Sequence, residues 1–327
     1  MAKPAPAERD ILGDALSAEV EGEVLRGMLK VLDLERLESN LYRGDHGLGT
    51  HVFGGESLGQ GLVSAAHTVG EGYHLHSMHG YFLRLGDHTR PVVFDVDRIR
   101  NGRSFITRRV KAIQQGEAIL NLACSFHIDE PGLEHADTPP DVPRPETLPR
   151  YPSEAMLREA ESRGELGYLY RFEAFDTRHV KSWQTEAGNW CGAHWVRVNE
   201  ALPDNRALHA ILLAYLSDME FLDLIMEEDI RDTPGYGGGF GDPDVERQWY
   251  SLDHSLWFHR PFRVDEWLLF EKESVSAQGA RGLVRGRFFN RDGVLVASAV
   301  QECLTRQLQP QPSTPSTPST LQSTEEN

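Results

Sequence analysis

The chain has 327 residues, 39% of them hydrophobic, with 33 Lys and Arg against 50 Asp and Glu and a formal charge of −17. The length fits two domains and the apolar content a core, while the acid surplus excludes a general nucleic-acid binder, which needs a basic footprint, and attachment to anionic membrane by charge. Three scattered cysteines, Cys124, Cys191 and Cys303, with no CxxC spacing, exclude a zinc ribbon or disulfide framework and suit a reducing, cytoplasmic compartment.

Residues 1–15 are Pro/Ala-rich and lack the apolar run of a secretory signal. No apolar run approaches the ~20 residues of a membrane span. Over residues 17–33, the set Leu16, Val20, Val24, Leu25, Met28, Leu29 and Leu32 falls at helical spacing and predicts one packed face. Residues 49–55 lead into a turn, and Leu58 to Val69 reads as a helix of small residues. Strand lengths follow at 74–83, 92–99, 105–113 and 118–128, with turns at Gly86-Asp87, Asn101-Gly102 and Gln115-Gly116. One helix before several antiparallel strands is an α+β pattern.

Residues 131–168 read as a Pro-rich, acidic linker ending in a polar helix at 154–163. A second folded region follows over 169–306. Its strands are expected at 172–177 and 194–198, then an apolar helix at 207–219, a Gly/Asp-rich loop at 227–244, and strands at 248–256, 267–276, 282–289 and 295–306. Residues 307–327 are a Pro/Ser/Thr-rich tail, expected to be disordered. The two halves echo each other: His76-Ser77-Met78 and His254-Ser255-Leu256 lie 178 residues apart, and the turn glycines Gly116 and Gly293 lie 177 apart. This predicts an internal duplication, with one copy at 34–130 after the N-terminal segment 1–33. Counted from the turn glycines, Cys124 stands where the second copy has Gln301.

Three constellations could carry chemistry. Gly55-Glu56-Ser57-Leu58-Gly59 is a GxSxG pattern that would make Ser57 an elbow nucleophile with His254 or His259 as partner. Four consecutive strands after a single helix do not fit the strand–helix alternation such an elbow needs. His74, His76 and His79 form HxHxxH, but on a strand the third residue points away from the first two, so no metal is expected. His76 and His254 read as structural, or as donors at a domain seam. Asp218 closes an apolar helix, where the macrodipole disfavours a carboxylate and burial would raise its pKa, as suits a general base. The alternative is a solvated helix end. The first helix has no acid at its close.

Longer motifs carry a resemblance. His-Val-Phe-Gly-Gly at 51–55 with Ser-Leu-Gly-Gln-Gly-Leu at 57–62, the segments 76–87 and 102–114, Tyr-Leu-Ser-Asp at 215–218, Asp-His-Ser-Leu-Trp-Phe-His-Arg-Pro-Phe at 253–262, and 280–286 and 292–302 together resemble the acyl-CoA thioesterase II family, in order and spacing. The resemblance implies a double hotdog fold, two antiparallel sheets each wrapped around a central helix. It implies hydrolysis of fatty acyl-CoA to free acid and CoA, with no cofactor. It places the family's water-holding carboxylate on Asp218, its amide on Gln301 and its hydroxyl, usually Thr, on Ser251. Glu56 stands where the family usually has Gln.

Fixing one water with a carboxylate, an amide and a hydroxyl is sound chemistry for thioester hydrolysis, and it needs no covalent intermediate. For CoA, Gly54 and Gly55 and the basic residues Arg103, Arg108, Arg109 and Arg281 are candidate contacts. Arg98 to Lys111 contains no acid, although strand alternation splits that cluster between two faces. A solvated sheet surface is the alternative for it. Besides the serine esterase, a non-catalytic acyl-CoA-binding hotdog protein stays open. Self-association is expected, because sheet edges invite pairing.

Overall fold

The computed structural model describes residues 20–47, 52–163, 169–221, 224–225 and 247–307. The expected loop at 227–244, the tail from 308 and the first 19 residues lie outside the described residues. Helix α1, Glu23–Leu32, buries Val24, Leu25, Met28, Leu29 and Leu32, the face its spacing predicts. Strands β1 (Glu35–Glu38) and β2 (Leu41–Gly44) follow; nothing in the sequence reading anticipated these two short pieces. Then come α2 (Gly54–Ala66), β3 (His74–Phe82), β4 (Val92–Asn101), β5 (Phe105–Gln114) and β6 (Glu117–His127). After the linker helix α3 (Glu154–Arg163), the second half has β7 (Phe175–Gln184), β8 (Trp190–Val198), α4 (Arg206–Ser217), β9 (Arg247–Ser251), β10 (Asp253–Phe258), β11 (Leu268–Gln278), β12 (Arg281–Asn290) and β13 (Leu295–Gln307). The segment expected as one strand at 248–256 is two, broken at Leu252.

Among the described residues, thirteen strands form one antiparallel sheet in the order β1-β2-β4-β5-β6-β3-β10-β13-β12-β11-β8-β7, with β9 beside β13. The two sheets of the copies are therefore joined edge to edge. The junction is a ladder between β3 and β10 in which Met78 pairs Leu256, Ser77 pairs Trp257 and His79 pairs Ser255. With Met78 and Leu256 as mates 178 residues apart, these pairs exchange under a pseudo-two-fold axis through Met78 and Leu256. Each copy then pairs its mate with its next strand: Met78 with Cys124, and Leu256 with Ala299. The structural mate of Cys124 is thus Ala299, and Gln301 answers Phe126. Counting from the turn glycines missed this by two residues because the turns differ. Gln115 and Gly116, both at positive φ, close a two-residue hairpin, whereas the second copy turns over a longer loop before Leu295.

Helices α2 and α4 lie at the centre and pack on each other. Every residue of α2 from Gly55 to Ala66 is buried, including Glu56, which faces His46, and Gln60, whose Nε2 donates to the carbonyls of Val31 and Asp45. Strand β5 alternates strictly, sending Ile106, Val110 and Ala112 inward. Residues 137–148 of the linker form a strap over the outer face of the second copy. Val142 and Leu148 pack on a cluster containing Trp195, Leu269 and Phe289, Trp195 Nε1 donates to Pro143 O at 2.9 Å, and Arg287 pairs Asp137 at 2.9 Å.

Candidate active site

The two central helices are treated differently at their N-termini. Asn205 caps α4, its side-chain oxygen accepting from the N–H of Ala207 and Leu208 at 3.1 and 3.2 Å. Phe53 precedes α2 and offers no side-chain cap, so first-turn N–H groups stay available for another acceptor. Asp218, at the C-cap of α4, supplies one: the N–H of Gly55 bonds its carboxylate. The approach needs glycine. A Cβ on Gly54 would stand 2.5 Å from Asp218 Oδ2, and one on Gly55 would collide with the backbone oxygen of Tyr215.

The Asp218 side chain is only 4% exposed. Burial pushes its carboxyl up from the ordinary 3.8 to about 7, although Gln301, the Gly55 N–H, the guanidinium of Arg171 and Ser251 all favour the anion. Its Oδ1 atom is buried and makes no hydrogen bond. Gln301 is fully buried on β13, and its Nε2 donates to Ser251 Oγ at 2.6 Å. Ser251 ends β9, which pairs with β13 and so sets this contact. The structure thus brings together the three expected catalytic side chains, from three separate elements.

Sequence reasoning left His254 as structural or a seam donor. It is fully buried, with Nδ1 at 2.5 Å from Gln301 Oε1 and Nε2 at 2.8 Å from Ser217 Oγ. Burial drops its pKa to about 4, so the ring is neutral. Arg171, near-buried and not anticipated, lies over the Phe53 ring at 4.9 Å. No short motif marked it; only its position after the linker could have. Glu56 is 4% exposed, and His46 Nδ1 lies 3.0 Å from its Oε1. That pairing gives a carboxylate a reason to stand at this position.

The remaining expectations separate. Ser57 is the fourth residue of α2, inside the helix and not on an elbow before it. His254 is engaged by Gln301 and Ser217, and His259 bonds Ser298 at 2.8 Å, so neither histidine proposed as its base is free for it. Arg108 is fully buried at the far end of α2, donating to Thr68 Oγ1 and O, Arg100 O and Asn101 Oδ1. It holds the fold and cannot meet a phosphate. Arg103 is exposed in the adjoining hairpin, also at the end away from Asp218, where Tyr73 bonds its carbonyl. Arg109 pairs Asp97 at 2.8 Å on the outer face. Arg281, the mate of Arg103 by the 178-residue count, lies at the Asp218 end and pairs Glu302 at 2.8 Å.

His74, His76 and His79 engage separate neighbours, Asp129, Phe105 and Ser255. Among the described residues, His179, His194 and Glu220 bring ligand-type atoms within 4.8 Å of one another. Lys272, buried beside them, donates to the Glu220 carbonyl at 2.6 Å, and His179 Nε2 lies 2.8 Å from the carboxylate. With a fixed ammonium already there, this is an ion-pair network and not a cation site.

A family model described as acyl-CoA thioesterase matches residues 170–304, and one described as acyl-CoA thioesterase N-terminal domain matches 42–127. The chain is 38% identical to acyl-coenzyme A thioesterase 8 of Mus musculus, over 92% of this chain and 96% of that protein. It is 33% identical to acyl-CoA thioesterase 2 of Haemophilus influenzae, over 87% and 98%. The solved structure of an acyl-CoA thioesterase II, TesB2, from Mycobacterium marinum matches with a TM-score of 0.71 and 39% identity, over 86% of this chain and 98% of that one. A hot dog fold protein from Alicyclobacillus acidocaldarius matches with a TM-score of 0.65 at 16% identity, covering 85% and 97%.

Proposed function

The chain belongs to the acyl-CoA thioesterase family and hydrolyses acyl-CoA thioesters to free acid and CoA; we propose that it does so with a water held by Asp218, Ser251 and Gln301. The observation that carries this is the Asp218 carboxylate, buried, raised to about 7, and keeping in Oδ1 an acceptor that no protein donor takes. Asp218 removes a proton from the water as its oxygen attacks the thioester carbon. The carbonyl oxygen gains charge beside the uncapped N-terminus of α2, whose helix dipole stabilises that charge. The C–S bond then breaks, the acid leaves with the water's oxygen, and Asp218 returns its proton to the CoA sulfur. No cofactor enters these steps.

Among the basic candidates, Arg281 lies at the right end to meet a CoA phosphate, exchanging Glu302 for it. Homo-oligomers of the double unit are expected, because Tyr81, Leu83 and Leu85 expose apolar side chains close together; light scattering would read this. The three cysteines are free and buried, in keeping with a cytoplasmic compartment. The described residues include no helix long and apolar enough to cross a membrane.

The test is a single turnover of palmitoyl-CoA in H2¹⁸O with enzyme in excess. Direct attack puts the label in palmitate alone. Label in the Asp218 peptide would mean an acyl-carboxylate intermediate and end the water-only reading.

A further inference from the structure

Asp218 can only accept hydrogen bonds as an anion, yet Gln301 and Ser251 both bond it. That fixes every proton in the group behind it. Ser251 gives its hydroxyl hydrogen to the carboxylate side, so its oxygen must accept from Gln301 Nε2, 2.6 Å away. The amide NH2 therefore faces Ser251 and Asp218, and the amide oxygen faces His254. Across that 2.5 Å contact His254 Nδ1 must carry the hydrogen. In a neutral ring Nε2 is then the acceptor, and it takes the hydroxyl hydrogen of Ser217 at 2.8 Å in preference to the Ala214 carbonyl, 3.0 Å from the same hydroxyl. All four bonds run in one direction, from the last turn of α4 back to the acid that follows it.

From this directed chain we infer that His254 is a positioning residue for hydrolysis: its Nδ1–H locks the Gln301 amide with the NH2 edge toward the water site. A glutamine has three side-chain torsions and an amide that works either way round. Turned over, it would present an oxygen to Ser251 and Asp218, two acceptors facing each other. His254 is itself fixed, fully buried on β10 beside the partner strand β13, with the Phe221 ring edge-on at 5.6 Å.

The other copy shows the same ring without this work. His76 is the pseudo-symmetric mate of His254, and Phe126 stands in place of Gln301. There the ring meets Phe105 and His127 edge-on, and its buried Nε2 has no hydrogen-bond partner.

This inference rests on the assignment of Gln301 to the water site, and the two are separable by steady-state kinetics on four variants, each first shown to be folded by its thermal transition. Gln301→Leu tests the assignment; wild-type kcat in this variant would end that reading by itself. His254→Leu removes the donor, and kcat should fall about 10²-fold with KM little changed, the scale of loss for a misplaced catalytic group. His254→Asn keeps an N–H near the Nδ1 position and should recover kcat to within about tenfold of wild type. In the double variant, His254→Leu should cost nothing further on Gln301→Leu, since its target is gone. Equal losses in the Leu and Asn variants, or additive losses in the double variant, would overturn the positioning role while leaving Gln301 in the site.

Discussion

The two ends of the central helix pair are built on one frame and finished in opposite ways. At one end α2 starts without a side-chain cap beside Asp218, which closes α4, with Gln301 and Ser251 behind it. At the other, α4 starts under the Asn205 cap beside His67, which closes α2. Phe126 and Tyr73 stand where Gln301 and Ser251 do, and they line an apolar pocket with Leu62, Ala66 and Ala210. The difference teaches that the scaffold alone is not the site. A helix N-terminus becomes useful here only where its own cap is withheld and a desolvated acid takes the place.

The largest expected break in that contrast is Asp218→Asn, which removes the buried acid from the end of α4. Its kcat should fall by about 10²–10⁴, the value of a general base, measured by thiol release. In the wild type kcat/KM should rise with pH and level off above about 7, where the base is ionised. The same group has a stability consequence of definite sign. Its folded pKa, about 7, lies above the ordinary 3.8, so the unfolded chain gives up the proton first. Burial of Asp218 therefore weakens the fold progressively from about pH 4 to about pH 7 and constantly above, by on the order of 4 kcal/mol. Asp218→Asn should melt higher than wild type at pH 8 and no higher at pH 4; the reverse order would contradict the burial.

Next in size is Ser251. Ser251→Val should lose about tenfold or more in kcat and Ser251→Thr far less, because Thr keeps the oxygen that accepts from Gln301. Matching rates for Val and Thr would remove the hydroxyl from the site. The arginines sharpen the comparison between ends. Arg108→Leu should cost roughly 2–4 kcal/mol in denaturant unfolding, since it leaves buried carbonyls unpaired, with KM unchanged. Arg281→Ala should raise KM for acyl-CoA several-fold at low salt with little change in stability. A rise in KM for Arg108→Leu alone would reverse the assignment. The smallest effects are at the caps and the helix interior. Asn205→Ala should cost about 0.5–2 kcal/mol with activity intact, and Ser57→Ala should leave thiol release at wild-type rates.

Most long strands and both central helices were legible because their periodicity is strong: β5 alternates from Ile106 to Gln114, and the Glu154–Arg163 helix begins and ends where the sequence places it. Strand β7 was not: the strand expected at 172–177 begins only at Phe175, after a 3-10 turn over Tyr170–Ala174, and runs to Gln184. Nor was the start of α2. The helix was expected from Leu58 after a turn at 49–55, with the glycines allowing a close backbone approach; it begins at Gly54, and the groups that approach are Asp218 and the Tyr215 carbonyl. Strands β1 and β2, four residues each, are too short for a pattern to emerge. Of the three proposed catalytic positions, Ser251 and Gln301 came from motif likeness, while Asp218 also stood out as an acid closing an apolar helix. Composition could not bring residues 218, 251 and 301 together, because their meeting depends on the β9–β13 and β10–β13 registers. The basic run at 98–111 misled for a related reason. Charge density along the chain says nothing about which end of a strand lies near the acid, and β5 turns Arg108 inward while Arg109 faces out.

The ladder between β3 and β10 has a consequence for what mutation can do to this molecule. Two identical chains meeting across such an axis would carry each change twice, so an acid gained at one helix end would appear at both, and a glutamine lost from one site would be lost from its mate. Here one peptide spans the axis, and the two halves vary independently. Position 67 is free to be histidine while 218 is aspartate, and position 126 can fill with an aromatic ring while 301 stays polar. Each generation of sequence change can thus adjust one end for chemistry and the other for packing, a freedom that symmetric assembly withholds.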